Sequence, residues 1–365
     1  YDGMSIVPSL APGAESACGM AAMLQTAKTL KKLGNGRTVW FLATSGHFLG
    51  LQGVREFLNN HIDDWQVPGP FEKLWAKMTG RNTDPKEPIY LWVGLDFASQ
   101  TRALGIFYKA HFIDVREDTQ NNFSDIARVA RENNDKVAEV LGYDAKKRFS
   151  DGVNPVDGKS WRNFIPGRPA FDSEVVGMAG GYGVTFASVD DSRNLVDTPF
   201  DTFEKVNVAN VATQMKTFLC LLQHYLNDTN DQNADPKTQI PLYKPCQFQR
   251  MGLRNGFATL KGLVREWDPK KSLVPAEPID KALVVYPPAT GTKSFIGVRG
   301  NIIQMVEDGV NGHNGAEAKA AFAFHGLPPT TADNREHSIT VYRVNPETGD
   351  IDYASDKGVT AGGYP

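Results

Sequence analysis

Between residues 15 and 33 apolar positions recur at three- and four-residue spacing. Met20, Met23, Leu24, Ala27 and Leu30 mark a helix, and Gly34 stands where a C-cap glycine belongs. Arg37–Thr44 (RTVWFLAT) is a compact run of β-branched and aromatic residues and reads as a buried strand. A turn at Ser45-Gly46-His47 leads to a second helix near residues 50–60. Helix, strand, helix is the rhythm of an α/β sheet. Ile89–Phe97 is a further apolar strand carrying Asp96 near its end, and Ala103–Val115 reads as another. Phe123–Leu141 is helical, with Ile126, Ala130, Val137 and Leu141 on one face. Residues 150–170, rich in Gly, Pro and Asn, form a long loop of the kind that often carries function. Val175–Val189 holds one or two strands around Gly180-Gly181. Phe203–Leu226 is a helix with the stripe Val211, Met215, Phe218, Leu219 and Leu222.

The pattern changes after this helix. Asn227–Pro236 is polar and turn-rich, as linkers are. Short runs follow at Ala258–Val264, Ala282–Tyr286, Phe295–Val298, Ile302–Val306 and Ile339–Val344, punctuated by Gly, Pro and Asp. That is the signature of a small all-β sandwich. The expected architecture is an α/β domain over residues 1–230, with a mostly parallel central sheet flanked by helices. A smaller β-rich domain over 231–365 follows.

Composition narrows the function. The 365 residues carry 39 Lys+Arg and 42 Asp+Glu, a net charge of −3, with 41% hydrophobic and 22% charged residues. Disorder, collagen and coiled coil are excluded, and so balanced a charge argues against a nucleic-acid partner. No apolar run reaches the roughly 20 residues a membrane helix needs. Cys18, Cys220 and Cys246 are too far apart for a CxxC zinc site. The chain opens Tyr1-Asp2-Gly3 and closes without a capped helix or charged tail, so a piece of a longer or processed polypeptide is expected.

The chemistry-bearing segments are Tyr1-Asp2-Gly3, the loop Ala11-Pro-Gly-Ala-Glu-Ser-Ala-Cys-Gly19, and Arg37–Gly53. Leu95-Asp96 and Leu195-Val-Asp-Thr-Pro-Phe-Asp-Thr202 complete the set. In this order they resemble the zinc-dependent aminopeptidase family, whose relatives include glutamate carboxypeptidase, glutaminyl cyclase and the transferrin-receptor ectodomain. The resemblance covers about residues 1–226. It implies two zinc ions that share a bridging carboxylate and a water, with a Glu as general base.

Carried over residue by residue, few of those groups remain. The first His of the motif lies before Tyr1, and Asp2 matches the Asp that orients it. The bridging Asp falls at Glu15 or Ser16, in a loop one residue short. The general-base Glu falls at His47 and the adjoining ligand Glu at Phe48. Asp96 matches a carboxylate ligand, and the last ligand His is replaced by Asp197. Phe48 cannot bind a metal. The resemblance therefore implies a catalytically degenerate scaffold without a cofactor, in a larger extracellular, periplasmic or envelope assembly. Its partners would be other protein domains or subunits. The alternative is a metal-dependent exopeptidase or amidohydrolase with one zinc held by His47, Asp96, Asp197 and Glu15.

Simpler roles compete for the same residues. His47 reads as a hydrogen-bonded loop histidine, Asp96 as a turn or N-cap residue at a strand end, and Asp201 as the cap of the helix from Phe203. Cys18 reads as a helix-packing residue, since no partner base is identifiable by spacing. Gly177, Gly180, Gly181 and Gly183 lack the Lys-Ser/Thr of a phosphate loop. His313, His325 and His337, twelve residues apart, fit no zinc motif and read as surface residues. Asn122-Phe-Ser and Asn227-Asp-Thr are glycosylation sequons. The region from about 245 weakly resembles the transthyretin-like sandwich of some secreted carboxypeptidases.

Overall fold

The apolar runs at residues 89–97, 103–115 and 175–189 supply three strands of one four-stranded sheet. Its members are β1 (Trp92–Asp96), β2 (Leu104–Phe107), β3 (Phe149–Asp151) and β4 (Gly183–Ser188), in the order β1-β4-β2-β3. The computed structural model describes residues 10–65, 70–80, 89–110, 124–144, 148–153, 161–165 and 169–227. In the C-terminal part it describes 246, 248, 258–266, 268, 270–274, 277–279, 281–286, 302–306, 319–327, 337–345 and 347–359.

The sheet is mixed. β1 runs parallel to β4 and β2 to β3, whereas β2 is antiparallel to β4. The chain length between strands explains this. Residues 97–103 are all that separates β1 from β2, and a parallel crossover takes about a dozen or more. β2 therefore returns in the opposite direction. β2 and β4 are buried along their whole length, so their sequences read as continuous apolar runs.

The described residues form six helices: α1 (Ala17–Leu33), α2 (Gln52–Trp65), α3 (Pro70–Thr79), α4 (Ser124–Leu141), α5 (Asp172–Met178) and α6 (Val208–Leu226). One core joins Leu95, Ile106, Val184 and Phe186 to Cys18 and Leu30 of α1, Val137 of α4 and Phe218 of α6. A second joins Val54, Leu58, Ile62 and Trp65 of α2 to Val175 and Val176 of α5 and to Phe248. The four α2 residues recur every three or four positions, which puts them on one face. α2 can begin where it does because residue 53 is glycine. A Cβ there would lie 2.5 Å from the Ser45 carbonyl oxygen and 2.6 Å from its nitrogen.

Three expectations are corrected. Arg37–Thr44 does not form a strand: only Thr44 makes an isolated bridge. None of its residues is buried, and the adjacent Trp40 and Phe41 are 51% and 43% exposed. The composition demands extended backbone, but Val39 alone packs on the main core. Asp172–Met178, partly within the expected strand region 175–189, is helical, and the strand begins after the Gly180 turn (φ 88°). The helix expected from Phe203 begins at Val208. A 3-10 turn at Phe203–Lys205 precedes it, and Asn207 is the N-cap, its side chain accepting from the Asn210 amide.

The C-terminal strands are antiparallel. β5 (Ala258–Leu263) pairs with β10 (Ala321–Leu327). β8 (Ala282–Tyr286) lies between β9 (Ile302–Met305) and β11 (His337–Val344), and β11 pairs with β12 (Ile351–Val359). β6 (Arg265–Glu266) pairs with β7 (Glu277–Pro278). Both larger sheets contribute to one core, with Leu260, Phe322 and Phe324 from one and Val284 and Tyr286 from the other. His325 is buried and its Nδ1 bonds the Thr259 hydroxyl at 3.1 Å, so it is not a surface residue. Asp2, Asn122, residues 228–236, Phe295–Val298 and His313 lie outside the described residues.

The β-rich part is joined to the rest by a cation. Arg55 of α2 is 1% exposed. It donates from Nε to the Gly50 carbonyl at 2.7 Å, from Nη2 to Leu49 at 3.2 Å, and from Nη1 to the carbonyl of His325 in β10. Burial lowers its pKa from 12.5 to about 10, so it stays charged at neutral pH. Gly326 lets the strand approach: at φ 71° its missing Cβ would lie 2.7 Å from Arg55 Cγ.

Candidate functional site: a buried carboxylate net

Because β1 and β4 are parallel neighbours, their C-terminal ends open at one edge, with Asp96 opposite Ala187. The loop after β4 is held in an uncommon backbone. Asp190, Arg193 and Asp197 have φ of 57°, 50° and 63°, each costing about 1–3 kcal/mol in a non-glycine residue. Asp191 helps hold the turn. Its Oδ1 accepts from the Arg193 amide at 2.8 Å and its Oδ2 from the Gln100 amide at 3.0 Å.

This turn aims Arg193 at Asp96. Arg193 Nη1 lies 2.8 Å from both Asp96 oxygens, and Nη2 donates to the Asp96 and Ser188 carbonyls at 3.3 Å. The side chains are 13% and 10% exposed, so the pair is largely withdrawn from water. Arg193 is the residue sequence reasoning missed. The available signal was Asp190-Asp191-Ser192-Arg193 directly after a buried strand, a turn sequence ending in a cation.

Glu15 is more completely enclosed, at 1% exposure. It precedes α1 and reaches across to the loop after β1. Its Oε2 accepts from the Ser99 amide at 2.6 Å. Its Oε1 accepts from the Ser99 hydroxyl at 2.5 Å and from Gln100 Nε2 at 2.7 Å. Charge-assisted bonds of this kind contribute about 1.5–3 kcal/mol each. Ser99 continues the net, its hydroxyl accepting from the Asn207 amide and its carbonyl from Asn210 Nδ2, both at 2.9 Å. Gln214 of α6 ties the same loop from behind, accepting from the Ser188 hydroxyl and donating to the Ala98 and Thr101 carbonyls.

Asp201 does not cap a helix at Phe203. Its Oδ1 accepts from the Glu15 amide at 2.6 Å and anchors the start of α1 instead. Burial raises its pKa, the amides of Glu15, Asp197 and Ala14 oppose that rise, and the Glu15 carboxylate adds to it. Asp197 takes part through its amide and its left-handed backbone. His47 opens a 3-10 turn, His47–Leu49, between two left-handed glycines, Gly46 and Gly50, and is half-buried. β9 of the C-terminal part lies against this turn, so His47 sits at the junction with the β sheets.

The structure thus brings Glu15 and Asp201 together and places Asp96 on Arg193. Among the described residues, His47, Asp96, Asp197 and Glu15 do not converge at metal-ligand spacing. The donor chemistry tests the fit of a zinc pair. A bridging ligand needs free oxygen lone pairs directed at the ions. Both Glu15 oxygens point at N–H and O–H donors of the loop after β1, and both Asp96 oxygens face a guanidinium. These two carboxylates, as arranged, do not fit a dinuclear zinc site. What they form is a fixed net tying α1, α6 and the ends of β1 and β4.

Burial raises the thiol pKa of Cys18 and of Cys246 from 9.0 to about 12, and Glu15 adds to the rise at Cys18. Cys18 is a packing residue of α1, its thiol 3.6 Å from the Ala14 carbonyl. Comparison with known proteins returns no match: no family model, no curated protein and no solved structure is similar to the chain.

Proposed function

We propose that the chain is a catalytically degenerate, peptidase-like domain that serves as a structural or interaction module in a larger extracellular or envelope protein. In this reading residues 1–230 form the aminopeptidase-like α/β unit, with a mostly parallel sheet between helices, and residues 231–365 form the β-rich unit. The observation that carries it is the Arg193–Asp96 pair. The residue aligned with a metal-binding carboxylate holds a guanidinium at 2.8 Å on both oxygens. A fixed internal cation supplies the charge that a divalent ion would supply, and it offers no open coordination position for a water nucleophile.

The partner half of the reading is supported by α3. Phe71, Leu74, Trp75 and Met78 recur at one-face spacing and are 87%, 57%, 53% and 79% exposed, while Ala76 is buried. A soluble protein rarely leaves such a stripe on its surface without using it for contact. The partners in this reading are other protein domains or subunits of the larger assembly.

The test is a hydrolysis assay on aminoacyl and peptidyl chromogenic substrates with added zinc or cobalt. No turnover above buffer is expected. Turnover that His47→Ala or Asp96→Asn abolishes overturns the proposal.

A further inference from the structure

Helix α3 reverses the usual polarity of a surface helix, which turns its apolar face inward. The residue it buries against the chain is Ala76, at 3% exposure. Phe71, Leu74, Trp75 and Met78 stay 87%, 57%, 53% and 79% exposed. At about 100° per residue these four fall within an arc of about 100°, centred roughly 150° away from Ala76. The apolar stripe therefore points away from the body of the chain.

The size of the stripe matches half of a dimer interface. A fully covered aromatic side chain buries about 150–250 Å², so Phe71 and Trp75 at these exposures offer roughly 300 Å² between them. With Leu74 and Met78 the stripe reaches roughly 500 Å², at the upper end of the apolar patches found on monomers. A standard interface takes about 800 Å² from each partner, about 65% of it apolar in homodimers, which is about 520 Å². The composition fits as well: aromatic residues and Met are enriched in interface cores, while Lys is depleted. Lys77 is exposed at the side of the stripe, where a polar rim belongs. It is the one cation among the described side chains of α3, whereas a helix that lies in a bilayer surface carries a face rich in Lys and Arg.

The spacing makes the stripe self-complementary. Positions 71 and 78, like 74 and 75, are equidistant from its midpoint. A two-fold axis crossing the helix there returns the same stripe in antiparallel orientation, and a two-fold interface uses one patch on both subunits. We propose that two copies of the chain pair through α3, antiparallel about an axis between Leu74 and Trp75. Phe71 of each copy then stands level with Met78 of the other, a ring beside a thioether. Leu74 and Trp75 of both copies gather at the axis. The proposal names the partner in the reading above as a second copy. It rests on α3 as a contact surface and not on the loss of catalysis.

Sedimentation velocity of the full chain across micromolar concentrations tests the pairing. A reversible dimer is expected. Leu74→Glu and Met78→Glu should each weaken it at least about tenfold at unchanged circular dichroism, because both positions are exposed in the single chain. Cross-linking tests the arrangement in a Cys220→Ser background, where Cys18 and Cys246 remain buried. Leu74→Cys is expected to give a disulfide-linked dimer on mild oxidation, because positions beside the axis meet within disulfide reach, about 4.4–6.8 Å between Cα atoms. Phe71→Cys is expected not to, since its two copies lie about 10 Å apart along the helix pair. A monomer throughout overturns the proposal, as does a dimer unchanged in both glutamate variants, or Phe71→Cys linking as readily as Leu74→Cys. Binding to phosphatidylserine vesicles that Leu74→Glu abolishes, with the chain monomeric in solution, overturns it in favour of a bilayer. The hydrolysis assay keeps the two readings apart. A monomer without hydrolysis overturns the pairing alone, and a dimer that hydrolyses peptides overturns the degenerate scaffold alone.

Discussion

Removing the Arg193 side chain leaves Asp96 as a charge with nothing to neutralise it. Both groups are near one-tenth exposed, and breaking a buried pair by deleting one partner costs about 3–5 kcal/mol. The residual exposure favours the lower end, about 3 kcal/mol for Arg193→Ala. Asp96→Ala strands the guanidinium and costs a similar amount. The double variant loses both charges at once, so its cost stays near 3 kcal/mol rather than 6, a coupling energy of about 3 kcal/mol. Backbone strain adds an internal control. Arg193 sits at φ 50°, where glycine is unstrained, so Arg193→Gly should be about 1 kcal/mol more stable than Arg193→Ala. The assay is urea unfolding followed by tryptophan fluorescence, with stability taken from midpoint and slope. Additivity of the two single variants within about 0.5 kcal/mol refutes the ion-pair account. A glycine variant less stable than the alanine variant refutes the strain account.

Further outcomes follow from the same geometry. Arg55→Met strands the carbonyls of Gly50, Leu49 and His325. It should cost at least about 3 kcal/mol and speed hydrogen exchange at both the His47–Leu49 turn and β10; faster exchange confined to α2 counts against the junction. Arg55→Lys should recover little, because an ammonium cannot reproduce the guanidinium fork. Gly53→Ala pushes a methyl into the Ser45 backbone and should destabilise by about 1–3 kcal/mol in the same urea assay; a neutral result contradicts the close approach. Cys18 and Cys246 hold their protons to about pH 12 when folded and ionise near pH 9 when unfolded. The unfolded state therefore binds fewer protons above pH 9, so stability falls as pH rises from 9 to 12, by up to about 1.4 kcal/mol per pH unit per thiol. Replacing both cysteines with alanine should flatten that slope, and an unchanged slope refutes the assignment.

The elements whose burial follows a single periodicity were legible in the sequence. α1, α2 and α4 belong here, because local spacing alone decides which face is covered; β1 and β4 were legible as continuous apolar runs, and β5, β8, β9 and β11 as short runs between turn residues, whereas β10 was not read. Arg37–Thr44 misled for a physical reason. β-branched and aromatic residues specify extended backbone but not a pairing partner, and sheet pairing is a tertiary property. The antiparallel return of β2 was missed in favour of a mostly parallel sheet, although the short link between residues 97 and 103 could have signalled it. Helix α5 was hidden because its seven residues are too few to show a period. At the site, Glu15 and Asp96 were singled out as metal-ligand candidates and Asp201 as a helix cap, but the partners they bind were not read. Ser99, Gln100 and Arg193 are 84, 85 and 97 positions away from the groups they bind, and no local pattern encodes such distances. The left-handed conformations at Asp190, Arg193 and Asp197 were likewise unmarked by any glycine.

The measurement that bears most directly on the central claim is zinc stoichiometry. The purified chain is dialysed against excess zinc, then against metal-free buffer, and its zinc is counted by mass spectrometry beside Asp96→Asn and His47→Ala. With Asp96 neutralised by Arg193 and Glu15 saturated by Ser99 and Gln100, the account predicts far less than one zinc per chain, unchanged in either variant. One or more zinc ions per chain, lost on replacing Asp96 or His47, would contradict it.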